Sequence, residues 1–408
     1  MALSLAIGIL VGTLVAVPRG AALSVLCVCV LSLIAFALSR RGAWGLASLC
    51  LFMCLVGLLR PFLPPLSLIP EALRLDGAVL AQDLVSGLHA AGLSPTADSL
   101  VTAMLLGNRE GLPSDVVQLY RQTGASHILA LSGLHLGILF GVLNYWLLRV
   151  LPSRLRYVFG GLAIVLIWTY ALLVGLPVSL CRASAMMSLL LIGETTFSGH
   201  SSWNLFGIAG MLLLLINPAT LFDVGFQLSF GAIAGIFLFY VPVRNLFQPS
   251  RRFASWLWQA WAVSLSAQLF TLPLLFHYFG YFSLSGILLS PLYILLATCI
   301  IFSALLFLLA TSLGIGFLLK PLVEFFVATQ HGLMSSASRF PWGGMWADRL
   351  SWASVLLISF SLLCLLPPLR SLQPCETQSP RFRLVQFLRT WPYLTASILL
   401  LAVAYVIG

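Results

Sequence analysis

Long apolar runs, broken by short polar or proline-containing stretches, form most of the chain. A run of about 20 apolar residues is long enough to cross the hydrocarbon core of a bilayer as a helix. Runs of about this length lie near 2–17, 21–38, 43–59, 124–144, 157–177, 180–196, 203–216, 223–243, 256–276, 284–310, 314–333, 352–366 and 391–407. The pattern predicts an all-α polytopic membrane protein with about 11–13 transmembrane helices.

The segment 61–123 is more polar than the rest and predicts short helices instead of spans. Glu71–Ala91 carries charged residues on an otherwise apolar pattern, as expected for an amphipathic helix. Ser94 followed by Pro95 predicts a second helix start, and Gly107 its end. A third helix is predicted over Ser114–Arg121. We expect these helices to be amphipathic surface helices on the extracytoplasmic side.

Composition excludes a soluble protein. Of 408 residues, 60% are hydrophobic and only 8% are charged, whereas soluble domains carry about 25% charged residues. The formal net charge of +10 either reports orientation in the membrane or attracts a polyanion. Tight arginine clusters fall in alternate loops, which predicts a cytoplasmic N-terminus.

The stretch 124–144, GASHILALSGLHLGILFGVLN, predicts a helix at the centre of the bundle. At about 100° per residue, Gly133, Gly137 and Gly141 share one face, where small residues allow a neighbouring helix to approach closely. Ser132 and His135 share another face. The sequence therefore predicts one packing face and one polar face.

An intramembrane hydrolase using Ser132 and His135 is disfavoured. The two residues are three apart on one helix, a geometry that rarely suits proton transfer from an attacking hydroxyl. No glycine-rich oxyanion loop, nucleotide-binding motif or metal-binding spacing is present in the sequence. We expect no catalytic activity, no cofactor and no metal.

Ionisable groups inside apolar segments are costly and need partners. Arg182 and Asp223 lie near the predicted outer ends of two spans, and we predict that they form an ion pair; two independent interfacial charges are the alternative. Lys320 and Glu324 are four apart on one helix and are predicted to pair. The polar side chains Gln227, Ser229 and Gln268 either connect helices or line a path.

Three ordered motifs resemble the ComEC competence family. These are LLGNREGLPSDVVQLYRQTGASHILALSGLHLGIL, then GLPVSLCRASAM from Gly175, and DVGFQLSFGA from Asp223. Gln268, Pro273 and Ser283 resemble the family's next pair of helices, although Ser290 stands before Pro291 where the family often has asparagine. The resemblance covers roughly residues 100–291.

The resemblance implies a channel core that carries single-stranded DNA inward across the inner membrane during natural transformation. It implies a cytoplasmic helicase and a periplasmic DNA receptor as partners, beside the lipid bilayer, and leaves a homo-oligomer open. Ser132, His135, Arg182, Asp223, Gln227, Ser229 and Gln268 are expected in the polar core, with Arg109 and Arg121 at the DNA entrance. The chain is expected to be a short form without the OB-fold-like and metallo-β-lactamase-like domains of many members.

We therefore expect an N-terminal transmembrane region (1–60), extracytoplasmic helices (61–123), a competence core (124–310) and C-terminal transmembrane helices (311–408). A transporter or channel for a small polar solute on the same fold is the first alternative.

Overall fold

Helices make up most of the part of the chain that the computed structural model describes. That part comprises residues 2–15, 51, 53–58, 71–109, 111–129, 136–137, 156–196, 202–339, 345–346, 349–364 and 366. The numbered helices are α1 (Ala2–Val15), α2 (Glu71–Ala90), α3 (Pro95–Leu106), α4 (Ser114–Gln122), α5 (Ser126–Leu129), α6 (Arg156–Leu173), α7 (Val178–Thr196), α8 (Ser202–Ile216), α9 (Val224–Arg244), α10 (Arg252–Phe279), α11 (Leu284–Ser312), α12 (Lys320–Ser338) and α13 (Trp352–Cys364). Two short strands, β1 (Tyr281–Phe282) and β2 (Met345–Trp346), pair antiparallel.

Helices α9, α10 and α11 are long and apolar enough to cross a membrane, judged by length and composition. Four shorter apolar helices match further predicted spans: Tyr157–Leu173, Val178–Gly193, Ser202–Ile216 and Trp352–Cys364. These helices confirm the prediction of an all-α polytopic membrane protein. The predicted spans at 21–38 and 391–407 lie outside the described residues.

The chain divides into two compact units that interleave along the sequence. Unit 1 comprises 1–82 and 132–226, and unit 2 comprises 83–131 and 227–408. In unit 1, α6 packs on α7, α7 on α8, and α8 on α1. The contact face of α6 includes Ala163, Ile167 and Ala171, which recur every four residues and are buried. On α7, Gly193 lies close to Leu205 of α8.

Unit 2 is built around α10, α11 and α12. Helix α11 packs on both α10 and α12, and α10 also packs on α13. The buried face of α12 has Val323, Val327, Gln330, Met334 and Ala337, a spacing of alternately four and three residues that marks one helix face.

The backbones of unit 2 approach closely where glycine leaves room. A Cβ on Gly235 of α9 would lie 2.5 Å from the carbonyl oxygen of Ser266 on α10. Gly124 has φ +70°, and a Cβ there would lie 2.9 Å from Ser283 Cβ, at the start of α11. These residues therefore cannot carry a side chain without moving a neighbouring helix.

Helix α3 has the predicted boundaries but different surroundings from those predicted. Its predicted boundaries hold: Ser94 precedes Pro95 as N-cap, and Gly107 ends the helix with φ 73°. Its surroundings differ from the expected surface position. Residues Ala97 and 99–105 are buried, because α3 packs against α11 and α12 within unit 2. The sequence pattern of α3 is compatible with a helix on a membrane surface, but in the structure other helices of unit 2 enclose α3.

Helix α12 begins later than the predicted span. Gly314 has φ +76° and is followed by a 3₁₀ turn (Gly316–Leu318), so the α-helix starts only at Lys320. Lys320 therefore lies at a helix end, not inside a span. Its Nζ is 4.0 Å from Glu324 Oε1, which confirms the predicted pair. Both side chains also hold the α2–α3 turn: Lys320 donates to the Gly92 carbonyl and Glu324 accepts the Ser94 N–H.

Candidate functional site

The predicted ion pair between Arg182 and Asp223 is present in unit 1. Arg182 Nη1 donates to Asp223 Oδ1 at 2.7 Å. The arginine is 5% exposed, whereas the aspartate side chain is 47% exposed. A buried guanidinium is thus balanced by one carboxylate that is about half-exposed.

Asp223 has a second task at the start of α9. The same Oδ1 accepts the backbone N–H of Phe226 at 2.7 Å, which is the geometry of an N-cap. A negative charge at this place also interacts favourably with the helix dipole. One carboxylate oxygen therefore both begins α9 and holds the arginine of α7.

The loop before α7 determines where α7 begins and therefore where Arg182 lies. Gly175 has φ 80°, and Leu176 has φ 55°, a left-handed conformation that is strained for leucine. The Leu176 N–H donates to the Ala171 carbonyl at 2.8 Å, and the Pro177 carbonyl accepts from the first turn of α7. This tight connection sets the register of α7 relative to α6.

Gly225 gives the guanidinium its space. A Cβ at this position would lie 2.7 Å from Arg182 Nη2 and 3.1 Å from Asp223 Oδ1. Arg182 Nε has no hydrogen-bond partner among the described residues. The arginine is consequently held by one strong, charge-assisted contact and by close packing against the backbone of α9.

Unit 2 contains a different kind of polar contact, between neutral side chains of α10 and α11. Ser264 Oγ donates to Ser290 Oγ at 2.9 Å, and Gln268 Nε2 donates to Ser264 Oγ at 3.0 Å. Both serines are buried. We call Ser264, Gln268 and Ser290 the serine–glutamine link. The link connects two helices and also presents polar groups, so it is compatible with both roles considered from the sequence: helix packing and the lining of a path.

Gln227 takes part in a second neutral contact. The Tyr278 hydroxyl donates to Gln227 Oε1 at 2.7 Å, which joins the start of α9 to the end of α10. Ser229, two residues further along α9, is half-buried and has contacts of its own.

Most residues of the predicted central helix (124–144) are not among the described residues. Ser132, Gly133, His135 and Gly141 are among those not described. Gly137 is described, and a Cβ there would lie 3.2 Å from Met187 Cε of α7, so this glycine does face a neighbouring helix. Among the described residues, no three His, Cys, Asp or Glu side chains are grouped as metal ligands would be.

The two predicted entrance arginines occupy different parts of unit 2. Arg109 follows α3 and Arg121 lies in the last turn of α4, and both are exposed. Arg121 lies close enough to Tyr281 for its charge to act on the phenol. Burial raises the pKa of Tyr281, while a hydrogen bond with Ser283 and the charge of Arg121 lower it.

Sequence reasoning missed several residues that the structure brings into these contacts. One is Gly225, although a glycine two residues after a helix-capping aspartate could have indicated that a large side chain packs there. Trp352 was not singled out either; its ring centroid lies 4.1 Å from that of His277. Ser290 was noted only as a departure from a pattern, and its spacing from Ser264 carries no local signal.

Comparison with known proteins assigns the family. Residues 104–371 match the sequence model of the Competence protein family. ComE operon protein 3 of Bacillus subtilis is 31% identical over 249 residues, which are 61% of this chain and 31% of that protein. Recombination protein 2 of Haemophilus influenzae is 31% identical over 204 residues, 46% of this chain and 25% of that protein. An uncharacterized Aquifex aeolicus protein is 32% identical over 137 residues, which are 33% of this chain and 32% of that protein.

No solved structure is significantly similar to this chain. The fold and its polar contacts define a polytopic α-helical membrane protein with charged and neutral links between its helices. The matched region covers more than half of the chain, and all three motifs fall within it. The chain belongs to the Competence protein family, the ComEC family that the motifs resemble. It spans about a third or less of the length of the curated relatives it matches.

Proposed function

We propose that this protein forms the core of an inner-membrane channel through which single-stranded DNA moves inward during natural transformation. The observation that carries the proposal is the match of residues 104–371 to the Competence family. The matched region includes α9, α10 and α11, the three helices long enough to span a membrane.

The contacts of the described residues support a polar path within an apolar protein. Gln227, Ser229 and Gln268 carry hydrogen-bonding groups on membrane-length helices, where such groups are costly unless they serve packing or a hydrated path. We assign these residues, with Arg182 and Asp223, to the polar core. Ser132 and His135 remain predicted members of it, and Gly133, Gly137 and Gly141 remain predicted packing positions.

The proposed channel has no catalytic activity of its own. Movement of a strand then needs an energy source on another protein, so a cytoplasmic helicase and an extracytoplasmic DNA receptor are the proposed partners. The net charge of +10 suits a polyanionic substrate. A homo-oligomer is compatible with this function and is left to experiment.

The test is transformation frequency in a competent strain that lacks the gene. We expect deletion to reduce transformation to background and the wild-type gene to restore it. Gln227→Leu, which removes the amide that binds Tyr278, should restore it poorly at equal expression, whereas Leu306→Ala, on an exposed apolar face of α11, should restore it fully. Unchanged transformation after deletion would contradict the proposal and favour transport of a small polar solute.

Ser132→Ala separates the channel from a hydrolase. A hydroxyl that acts as nucleophile is indispensable, so a hydrolase would lose activity. The channel is expected to retain transformation with this variant. Complete loss with a well-expressed protein would favour the enzyme.

A further inference from the structure

Four segments distant in sequence meet at one end of unit 2. The Tyr281 hydroxyl donates to the carbonyl of Gln122, at the end of α4. Strand β1 pairs with β2, which places Tyr281 opposite Trp346. His277 Nδ1 lies 2.6 Å from the carbonyl oxygen of Leu350, just before α13. Two contacts of side chains with backbone carbonyls and one strand pair therefore join the ends of α4 and α10, the two strands and the residue before α13.

Aromatic rings gather at this junction. The ring of Trp352 lies 4.1 Å from that of His277 and 5.9 Å from that of Tyr278, with the latter pair at 85°. Trp352 is nevertheless 48% exposed, and the neighbouring Phe279 is 47% exposed. Trp352 thus contacts two rings and is still about half-exposed.

An exposed cation lies at the same junction. Arg121 directly precedes Gln122, whose carbonyl oxygen accepts the Tyr281 hydroxyl. The ion pairs among the described residues are His89–Asp98, Arg182–Asp223 and Lys320–Glu324, so Arg121 has no described carboxylate as partner. An exposed ring and an arginine without a described carboxylate partner, at the same end of unit 2, are the combination that single-stranded nucleic acids bind, with bases stacked on the ring and phosphates near the cation.

We propose that Trp352, packed against His277 and Tyr278, and Arg121 at the same end of unit 2 together form a docking platform for single-stranded DNA. The proposal rests on the function proposed above and adds where the strand is held. Because every base has a stacking face, the platform accepts any sequence. Its place in the topology predicted from the arginine clusters is the outer side, so the strand is held before it enters.

The opposite end of α10 supplies matched controls. There Phe253 and Trp256 stack at 6.1 Å, Trp256 is 51% exposed, and Arg252 is exposed too. This ring pair lies on a single helix, as expected for an aromatic belt at a membrane interface. Trp256 lies about 33 Å along α10 from Tyr278, at 1.5 Å per residue. Trp256→Leu and Arg252→Gln thus make the same chemical changes away from the platform.

The experiment measures binding of fluorescent oligothymidine of about 20 nucleotides, and of an abasic strand of equal length, to the protein in phosphatidylcholine nanodiscs. Wild type should bind oligothymidine about fivefold or more tightly than the abasic strand. Trp352→Leu should remove this preference, while Trp352→Phe keeps a ring and should retain it. Arg121→Gln should weaken binding of both strands and reduce the salt slope by about 0.7. Both controls should bind like wild type.

Equal binding of the two strands by wild type would overturn the platform, as would equal effects of Trp352→Leu and Trp256→Leu, the result expected of interface belts. Either result leaves the channel standing, because transformation by the deletion strain and its complement is scored separately. Base-dependent binding together with unchanged transformation after deletion would instead contradict the channel and leave the platform.

Discussion

Helices in the two units are connected by polar contacts of different chemistry. In unit 1, a buried guanidinium of α7 meets a carboxylate that also caps α9. In unit 2, α10 and α11 are joined by hydroxyl and amide groups without formal charge. A buried charge left without its partner is much more costly than a neutral group left without one. We therefore expect the contact in unit 1 to contribute more to stability than the contact in unit 2.

The largest effect is expected from Asp223→Ala. This change leaves Arg182 buried without a counter-charge, for a loss of about 3 kcal/mol, and removes the cap of α9, for about 1 kcal/mol more. Arg182→Met should cost less, because the half-exposed carboxylate can be solvated and still caps α9. Thermal unfolding of the purified variants in detergent measures both.

The double variant Arg182→Met with Asp223→Ala should be more stable than Asp223→Ala alone, since it no longer buries an unpaired charge. Equal losses for the two single variants, or a double variant that loses the sum of both, would contradict an ion pair with this asymmetry.

A smaller loss, about 1–3 kcal/mol, is expected for Gly225→Ala, because the new methyl group occupies the place of the guanidinium. The control is Gly231→Ala on the same helix, where the nearest atoms to a new Cβ are 3.5–3.7 Å away. Alanine favours a helix over glycine by about 1 kcal/mol, so this control should be neutral or stabilising. Melting temperatures that fall equally in both variants would show that the pair does not need this glycine.

The smallest effect is expected in the serine–glutamine link. Ser264→Ala should cost about 0.6 kcal/mol and at most about 1.7, the range of hydrogen bonds between membrane helices. Ser303→Ala is its control, because Ser303 is also buried and, among the described residues, its hydrogen bond is to the Ile300 carbonyl of its own helix. A loss for Ser264→Ala as large as that for Asp223→Ala would erase the difference between the units.

What the sequence predicted well follows from signals that are local or costly to violate. Helix ends at Ser94, Gly107 and Ser114 are marked by residues whose backbone preferences decide the boundary. The pair of Arg182 and Asp223 was predictable because a charge in an apolar segment needs a partner and few candidates exist.

What the sequence did not predict depends on how helices are rotated against each other. Many serines could have been the partner of Ser264 as judged from the sequence, and the packing of α10 on α11 is what brings Ser290 to it. The contact of His277 with Leu350 spans 73 residues and pairs a ring with a backbone carbonyl, which leaves no mark in composition. Helix α3 is likewise buried by α11 and α12, and the sequence of α3 alone does not indicate where those two helices lie.

The claim that single-stranded DNA passes along the polar residues of the core is tested most directly by crosslinking during uptake. A photoreactive amino acid replaces Gln268, or Leu306 as the control on the exposed apolar face of α11, and transforming DNA is stalled by a protein bound to its trailing end. The account predicts a DNA–protein crosslink at Gln268 and none at Leu306. Stalled DNA that crosslinks at neither position, or equally at both, would contradict a path through the core.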